Sequence, residues 1–179
     1  MKNNTVQMKL ESLLAEKQHA IEGRWFDLIV ETYPLEGRQF LDNKKDRFDN
    51  PVAYEFRQGI EGIVEALVHG MKPDMLSEHL DKIISIKAIQ ELSPSKAVAF
   101  IFLLKTAIRG ELQQEITAKG IPEELRELES RIDGLALLCF DIYMKRREKL
   151  FEIRTNEAKT RVSGLLRMAG LLSDLENEV

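Results

Sequence analysis

Apolar residues recur along this chain at spacings of three and four, the period at which one face of an α-helix turns inward. The first such stripe begins near Val6 and carries Leu10, Leu13, Leu14, Ile21, Trp25, Leu28 and Ile29. Gly23 sits within it and costs a helix about 1 kcal/mol. Tyr33-Pro34 ends it, because the residue before a proline is pushed out of the α region. A short amphipathic piece follows around Glu36–Leu41, then a polar loop, Asp42–Asn50. Asn50-Pro51 is a helix start: a capping side chain, then a proline where the missing N–H costs nothing. Val52, Phe56, Ile60, Ile63, Val64, Leu67 and Val68 give that helix a broad apolar face, and Gly70 suits its C-terminal cap.

Lys72-Pro73-Asp74 restarts the chain into a helix carrying Met75, Leu76, Leu80, Ile83, Ile84, Ile86, Ala88, Ile89 and Leu92. Ser93-Pro94 then breaks it and opens the most apolar run, Ala97–Leu104, which continues through Ala107, Ile108, Leu112 and Ile116. A helix apolar on most of its circumference belongs in the middle of a bundle. It ends near Lys119-Gly120. Pro122 introduces a charged turn, Glu123–Arg131, expected to lie in solvent. The apolar pattern resumes at Ile132, Leu135, Cys139 and Ile142 and thins through Lys145–Lys149. Val162, Leu165, Leu166, Met168, Ala169, Leu172 and Leu175 form a last stripe beyond the polar stretch Arg154–Arg161. No proline interrupts the chain after Pro122, so one helix or two collinear ones fit equally. These elements sum to an all-α fold: a single bundle of five to six helices with a C-terminal helical extension.

Composition narrows the class. With 179 residues the chain can bury a real core as one domain with extensions. Thirty acidic residues against 26 basic ones, a net charge of −4, argue against a nucleic-acid partner. A single cysteine, Cys139, leaves no intramolecular disulfide and no thiolate metal cluster. The N-terminus turns charged before a signal-peptide core forms, and the run Ala97–Leu104 is far short of the roughly 20 residues that span a bilayer. A cytoplasmic protein without membrane insertion is expected.

The search for chemistry finds no catalytic residues. Glu16 and His19 have the E-x-x-H spacing of di-iron bundles, but that chemistry needs a second copy, and they fall outside the apolar stripe, so they read as surface residues. His69 and His79 have no C-x-x-C-H context for haem, and Cys139 lies on an apolar stripe as a small core residue. No glycine-rich phosphate loop, H-E-x-x-H or G-x-S-x-G occurs. No metal site and no cofactor is expected. Arg57, on the side shared by Ile60, Val64 and Val68, and Lys105, bracketed by Ile101, Phe102 and Ile108, are polar groups aimed at apolar faces. They snorkel to water or reach carboxylates, or else line a ligand pocket with Trp25 and Tyr54. The basic run Lys145–Lys149 reads as a solvated helix face.

Four segments, Leu13–Pro34, Asp46–Gly70, Ile83–Lys105 and Leu135–Glu157, together resemble the N-terminal domain of RsbT co-antagonist proteins of the RsbRD type. The most distinctive piece is Ile84–Ser95, and the similarity extends from Leu10 to Glu157. The resemblance implies a sensory or regulatory domain over residues 1–157, non-enzymatic, haem-free, globin-like and dimeric. In full-length co-antagonists such a domain precedes a STAS domain and assembles with STAS proteins into a stressosome controlling a switch kinase. Only 22 residues follow Glu157, too few for a STAS domain. The resemblance therefore implies the sensor half with an amphipathic tail, residues 158–179. The expected function is a stress-signalling regulator that forms a homodimer and engages another signalling or STAS-type protein through Val162, Leu165, Leu166, Met168 and Leu172. The alternative is a small-molecule sensor with a pocket beside the central helix, read by Arg57 or Lys105.

Overall fold

A computed structural model describes residues 10–42, 48–70, 73–90, 92–119 and 121–169. Among these the ordered elements are helices: residues 10–16, then α1 (Gln18–Val30), α2 (Leu35–Asp42), α3 (Pro51–His69), α4 (Pro73–Ile89), α5 (Pro94–Val98), α6 (Phe100–Glu111), α7 (Gln113–Lys119) and α8 (Pro122–Met168). The all-α class holds, with more elements than the five to six expected. The chain divides at Tyr143/Met144 into two compact units. The Val6 start, most of the loop Asp42–Asn50, and Lys72, Gly120, Leu172 and Leu175 lie outside the described residues.

The first unit is held by a core in which Ile21, Trp25 and Ile29 of α1 meet Phe56, Ile60 and Ile63 of α3, with Ile83 and Ile84 of α4 and Ile101 and Leu104 of α6 also closed from solvent. The tightest approach is between α3 and α4. A Cβ added at Gly59 would stand 2.7 Å from the Ile83 side chain and 2.9 Å from the His79 carbonyl, and one added at Gly62 would stand 2.1 Å from the His79 ring. Only hydrogen at these two positions lets the helices come this close.

Helix ends show where local signals succeed. Asn50 caps α3, its Oδ1 accepting from the Ala53 N–H at 3.1 Å, while its Nδ2 donates to the Phe40 carbonyl at 2.7 Å. One buried side chain thus satisfies an orphan group on each of two helices. Arg38 reaches back to the end of α1, donating to the Glu31 and Tyr33 carbonyls at 2.7 Å each. Gly70 ends α3 at φ 71°, a conformation that favours glycine. Ser93, which also precedes a proline, differs from Asn50: its hydroxyl makes no capping bond and lies 3.2 Å from the Ser95 hydroxyl.

Two further expectations are corrected. The central run is not one helix apolar all round. It is divided at Ala99 and Leu112 into α5, α6 and α7, and Phe102 is 47% exposed on its outward side. Nor is Glu123–Arg131 a solvated turn. It is the beginning of α8, and Leu125 and Leu128 are buried. Their spacing continues into Ile132 and Leu135 at steps of four and three, so the charged residues between them are the outer face of a helix. The question of one helix or two resolves as one element of 47 residues, Pro122–Met168.

Candidate functional site

Each polar group expected near a pocket is already engaged where the structure places it. Trp25 is fully buried; its indole N–H donates to the Phe100 carbonyl at 2.8 Å, and its ring stacks on Phe100 with centroids 6.0 Å apart. Arg57 lies with its guanidinium 3.6 Å from the centre of the Phe26 ring and donates to the Leu41 carbonyl at 3.2 Å. That contact combines a cation over a ring face with the capture of an orphan carbonyl near the end of α2. Lys105 forms a 2.6 Å ion pair with Asp133 of α8. One turn further along α6, Arg109 takes Glu129 with both arms of its guanidinium, at 2.5 and 2.8 Å. Tyr54 is half-buried on α3. The fold brings Arg57 against the residue that follows Trp25, and turns Lys105 to α8 instead.

Two clefts of the first unit lie elsewhere. One, of about 350 Å³, runs between α3 and α4 and is lined by Pro51, Val52, Glu55, Asp81, Lys82 and Ile86, with Lys82 paired to Glu55 at 3.2 Å. The other, of about 50 Å³, is bordered by Leu10, Leu14, Leu128 and Arg131. Trp25, Tyr54, Arg57 and Lys105 line neither.

Lys87 is the residue that the sequence reading missed. It is 3% exposed, and its ammonium donates to the Tyr33 hydroxyl at 3.1 Å while facing the Tyr33 and Phe100 rings at 4.9 and 5.3 Å. Burial lowers its pKa from 10.5 to about 8, since no carboxylate among the described residues pairs with it. Burial likewise raises the Tyr33 hydroxyl above its ordinary value. A signal existed: Lys87 follows Leu80 and Ile84 at steps of four and three, on the buried stripe of α4.

The other candidate groups are buried or paired. Cys139 is fully buried, and burial pushes its thiol up to about 12, away from the reactive thiolate. His19 pairs with Glu22 at 2.9 Å, not with Glu16, and that carboxylate raises its pKa. Among the described residues no cluster of His, Cys, Asp and Glu is placed to hold a metal, and no helix is long and apolar enough to cross a membrane.

In the second unit, the α8 residues from Met144 expose Phe151, Val162, Leu165 and Met168, with Leu166 half-buried. These are large apolar side chains among basic ones. The family model for the RsbT co-antagonist protein rsbRD N-terminal domain matches residues 19–158. No curated protein and no solved structure matches the chain. The match covers most of its length, and the chain belongs to the RsbRD N-terminal domain family, which implies a regulatory signalling domain of the stress-response partner-switching system and is not a known enzyme family.

Proposed function

Starting from that membership, we propose that this chain is a non-enzymatic sensory or regulatory module of cytoplasmic stress signalling. It forms a homodimer and docks a signalling protein, of STAS type by the family's logic, on the α8 face that includes Val162, Leu165, Leu166 and Met168. The globin-like, haem-free arrangement implied by the family belongs to the same reading. The observation that carries it is the contrast between engaged polar groups inside the first unit and large apolar side chains left facing solvent. A small-molecule pocket built on Arg57 and Lys105 would have to break the contacts of Arg57 with Phe26 and Leu41 and of Lys105 with Asp133, which weighs against that alternative.

The dimer surface that we propose lies on α6 and α8 of the first unit. The pairs Arg109–Glu129 and Lys105–Asp133 set the two helices antiparallel. Carrying that register one turn further matches Phe102 with Leu137, and Phe102, Leu137 and Phe140 are 47%, 72% and 44% exposed. Apolar side chains grouped in this way mark an interaction surface. Light scattering on the full chain is expected to give a dimer, and the double variant Leu137→Asp, Phe140→Asp a monomer of unchanged helicity. A parent chain that stays monomeric at high concentration overturns the dimer.

A further inference from the structure

Lys87 is enclosed at the corner where the end of α1 meets the end of α4. It lies in the last turn of α4, 3% exposed, and its ammonium donates to the Tyr33 hydroxyl at 3.1 Å. Tyr33, between α1 and α2, passes its own hydroxyl hydrogen to Oε1 of Gln90 at 3.4 Å. Gln90 stands directly after α4 and is exposed. The backbone fixes where Tyr33 sits: its N–H donates to the Val30 carbonyl at 3.0 Å, and its carbonyl accepts from Arg38 at 2.7 Å. The ammonium also faces two rings, those of Tyr33 and Phe100.

An ammonium has three N–H groups and no lone pair, so here it can only donate. The titratable and charged groups of the surrounding elements are engaged with others or turned to solvent. Arg38 is held at the Glu31 and Tyr33 carbonyls, and Glu55 of α3 takes Lys82 at 3.2 Å. Glu31, past α1, and Lys96 of α5 are exposed, while Tyr143 of α8 gives its hydroxyl hydrogen to the Leu92 carbonyl. Burial accordingly draws the Lys87 pKa down to about 8. Tyr33 is moved the other way, above 10.0, and keeps its proton while Lys87 titrates.

Loss of that proton to water changes what each atom can do. The neutral amine gains a lone pair, enclosed and beside the Tyr33 hydroxyl. A buried acceptor left unpaired is costly, and the phenol is a donor already in reach. The hydroxyl has one hydrogen to give, to Nζ or to Gln90. Gln90 is exposed, so water replaces what it loses, and its contact with Tyr33 is the longer of the two. The balance favours the amine.

We propose that Lys87, Tyr33 and Gln90 form a proton-operated switch. With Lys87 charged, the hydrogen bonds run from Nζ to the Tyr33 hydroxyl and on to Gln90. With Lys87 neutral, the Tyr33 hydroxyl turns to Nζ and Gln90 is released. Gln90 belongs to the connection between α4 and α5, whose Leu92 carbonyl holds Tyr143, the last residue of the first unit. Rising pH thus closes Tyr33 onto Lys87 and loosens this connection.

Side-chain NMR on the full chain across about pH 6–10 tests the switch, since a free lysine titrates only at the upper end of that range. The Lys87 Cε signal is expected to titrate near 8, and the Gln90 side-chain amide signals to shift with the same midpoint. In Lys87→Met and in Tyr33→Phe, each checked for unchanged helicity, the Gln90 signals should stay flat, while Tyr33→Phe retains a Lys87 titration. A Lys87 midpoint at its ordinary 10.5 means a solvated ammonium and overturns the proposal. A midpoint near 8 with flat Gln90 signals in the parent chain also overturns it, leaving an enclosed lysine without a switch. A Gln90 shift undiminished in Tyr33→Phe has the same consequence, because the coupling then bypasses the hydroxyl.

Discussion

Trp25 and Phe151 are both large aromatic residues within helices, and their surroundings are opposite. Trp25 is closed from solvent, stacked on Phe100 and hydrogen-bonded through its indole; Phe151 is 72% exposed. The same division holds for polar groups. In the first unit Asn50, Arg57, Lys105 and Arg109 each bond across to another helix. Beyond Met144, Lys149 pairs with Glu152 and the Thr160 hydroxyl donates to the Asn156 carbonyl, each within about one turn. The first set of contacts joins helices, whereas the second lies within a single turn. A helix of the second kind keeps its apolar face available, which is what a docking element requires.

The sharpest way to break this contrast is to truncate both aromatics. Trp25→Ala should cost about 3–5 kcal/mol by urea denaturation, because it empties a closed site and orphans a carbonyl contact. Phe151→Ala should stay within about 0.5 kcal/mol of the parent. A large loss at Phe151 would mean that its face is already covered.

Glycine substitutions give the next effect. Gly62→Ala should destabilise by about 1–3 kcal/mol, since its methyl meets the His79 ring, and this outweighs the helix propensity gained. Gly164 has open space around its Cβ position, so Gly164→Ala should gain up to about 1 kcal/mol of local helix stability, read as slower amide exchange in the last turns of α8.

Lys87 supplies an effect with a pH signature. Its folded pKa, about 8, lies below the unfolded value of 10.5, so between these values the unfolded chain binds more protons and stability rises with pH. Tyr33, raised above 10.0, opposes this at higher pH, where its ionisation favours the unfolded chain. Lys87→Met should therefore stabilise by about 1–2 kcal/mol below pH 8, with the gain shrinking as the pH climbs toward 10. A gain independent of pH would mean that the ammonium is not desolvated in the folded chain.

Much of the architecture was legible along the chain. The α3 start at Asn50-Pro51 and the end at Gly70 stand where the capping chemistry placed them, since a cap depends on residues three or four positions away. The segment Glu123–Arg131 was misread because its charges outnumber its leucines, although Leu125 and Leu128 keep the spacing of the stripe that follows. Lys87 was missed because a lysine on a buried stripe reads as an interruption. Its placement became visible only when Tyr33 and Phe100, distant in sequence, were brought over it.

By itself the sequence determined which segments are helical, where several of them stop and which family the chain belongs to, because periodicity, capping and proline geometry act within a turn or two. The tertiary structure decided that Arg57 spends its charge on Phe26 and Leu41, that Lys105 pairs with Asp133, that Phe102 faces outward and that Lys87 is enclosed. Those outcomes depend on which helix lies across from each residue. Burial is a property of the pair, and no spacing along one helix contains it.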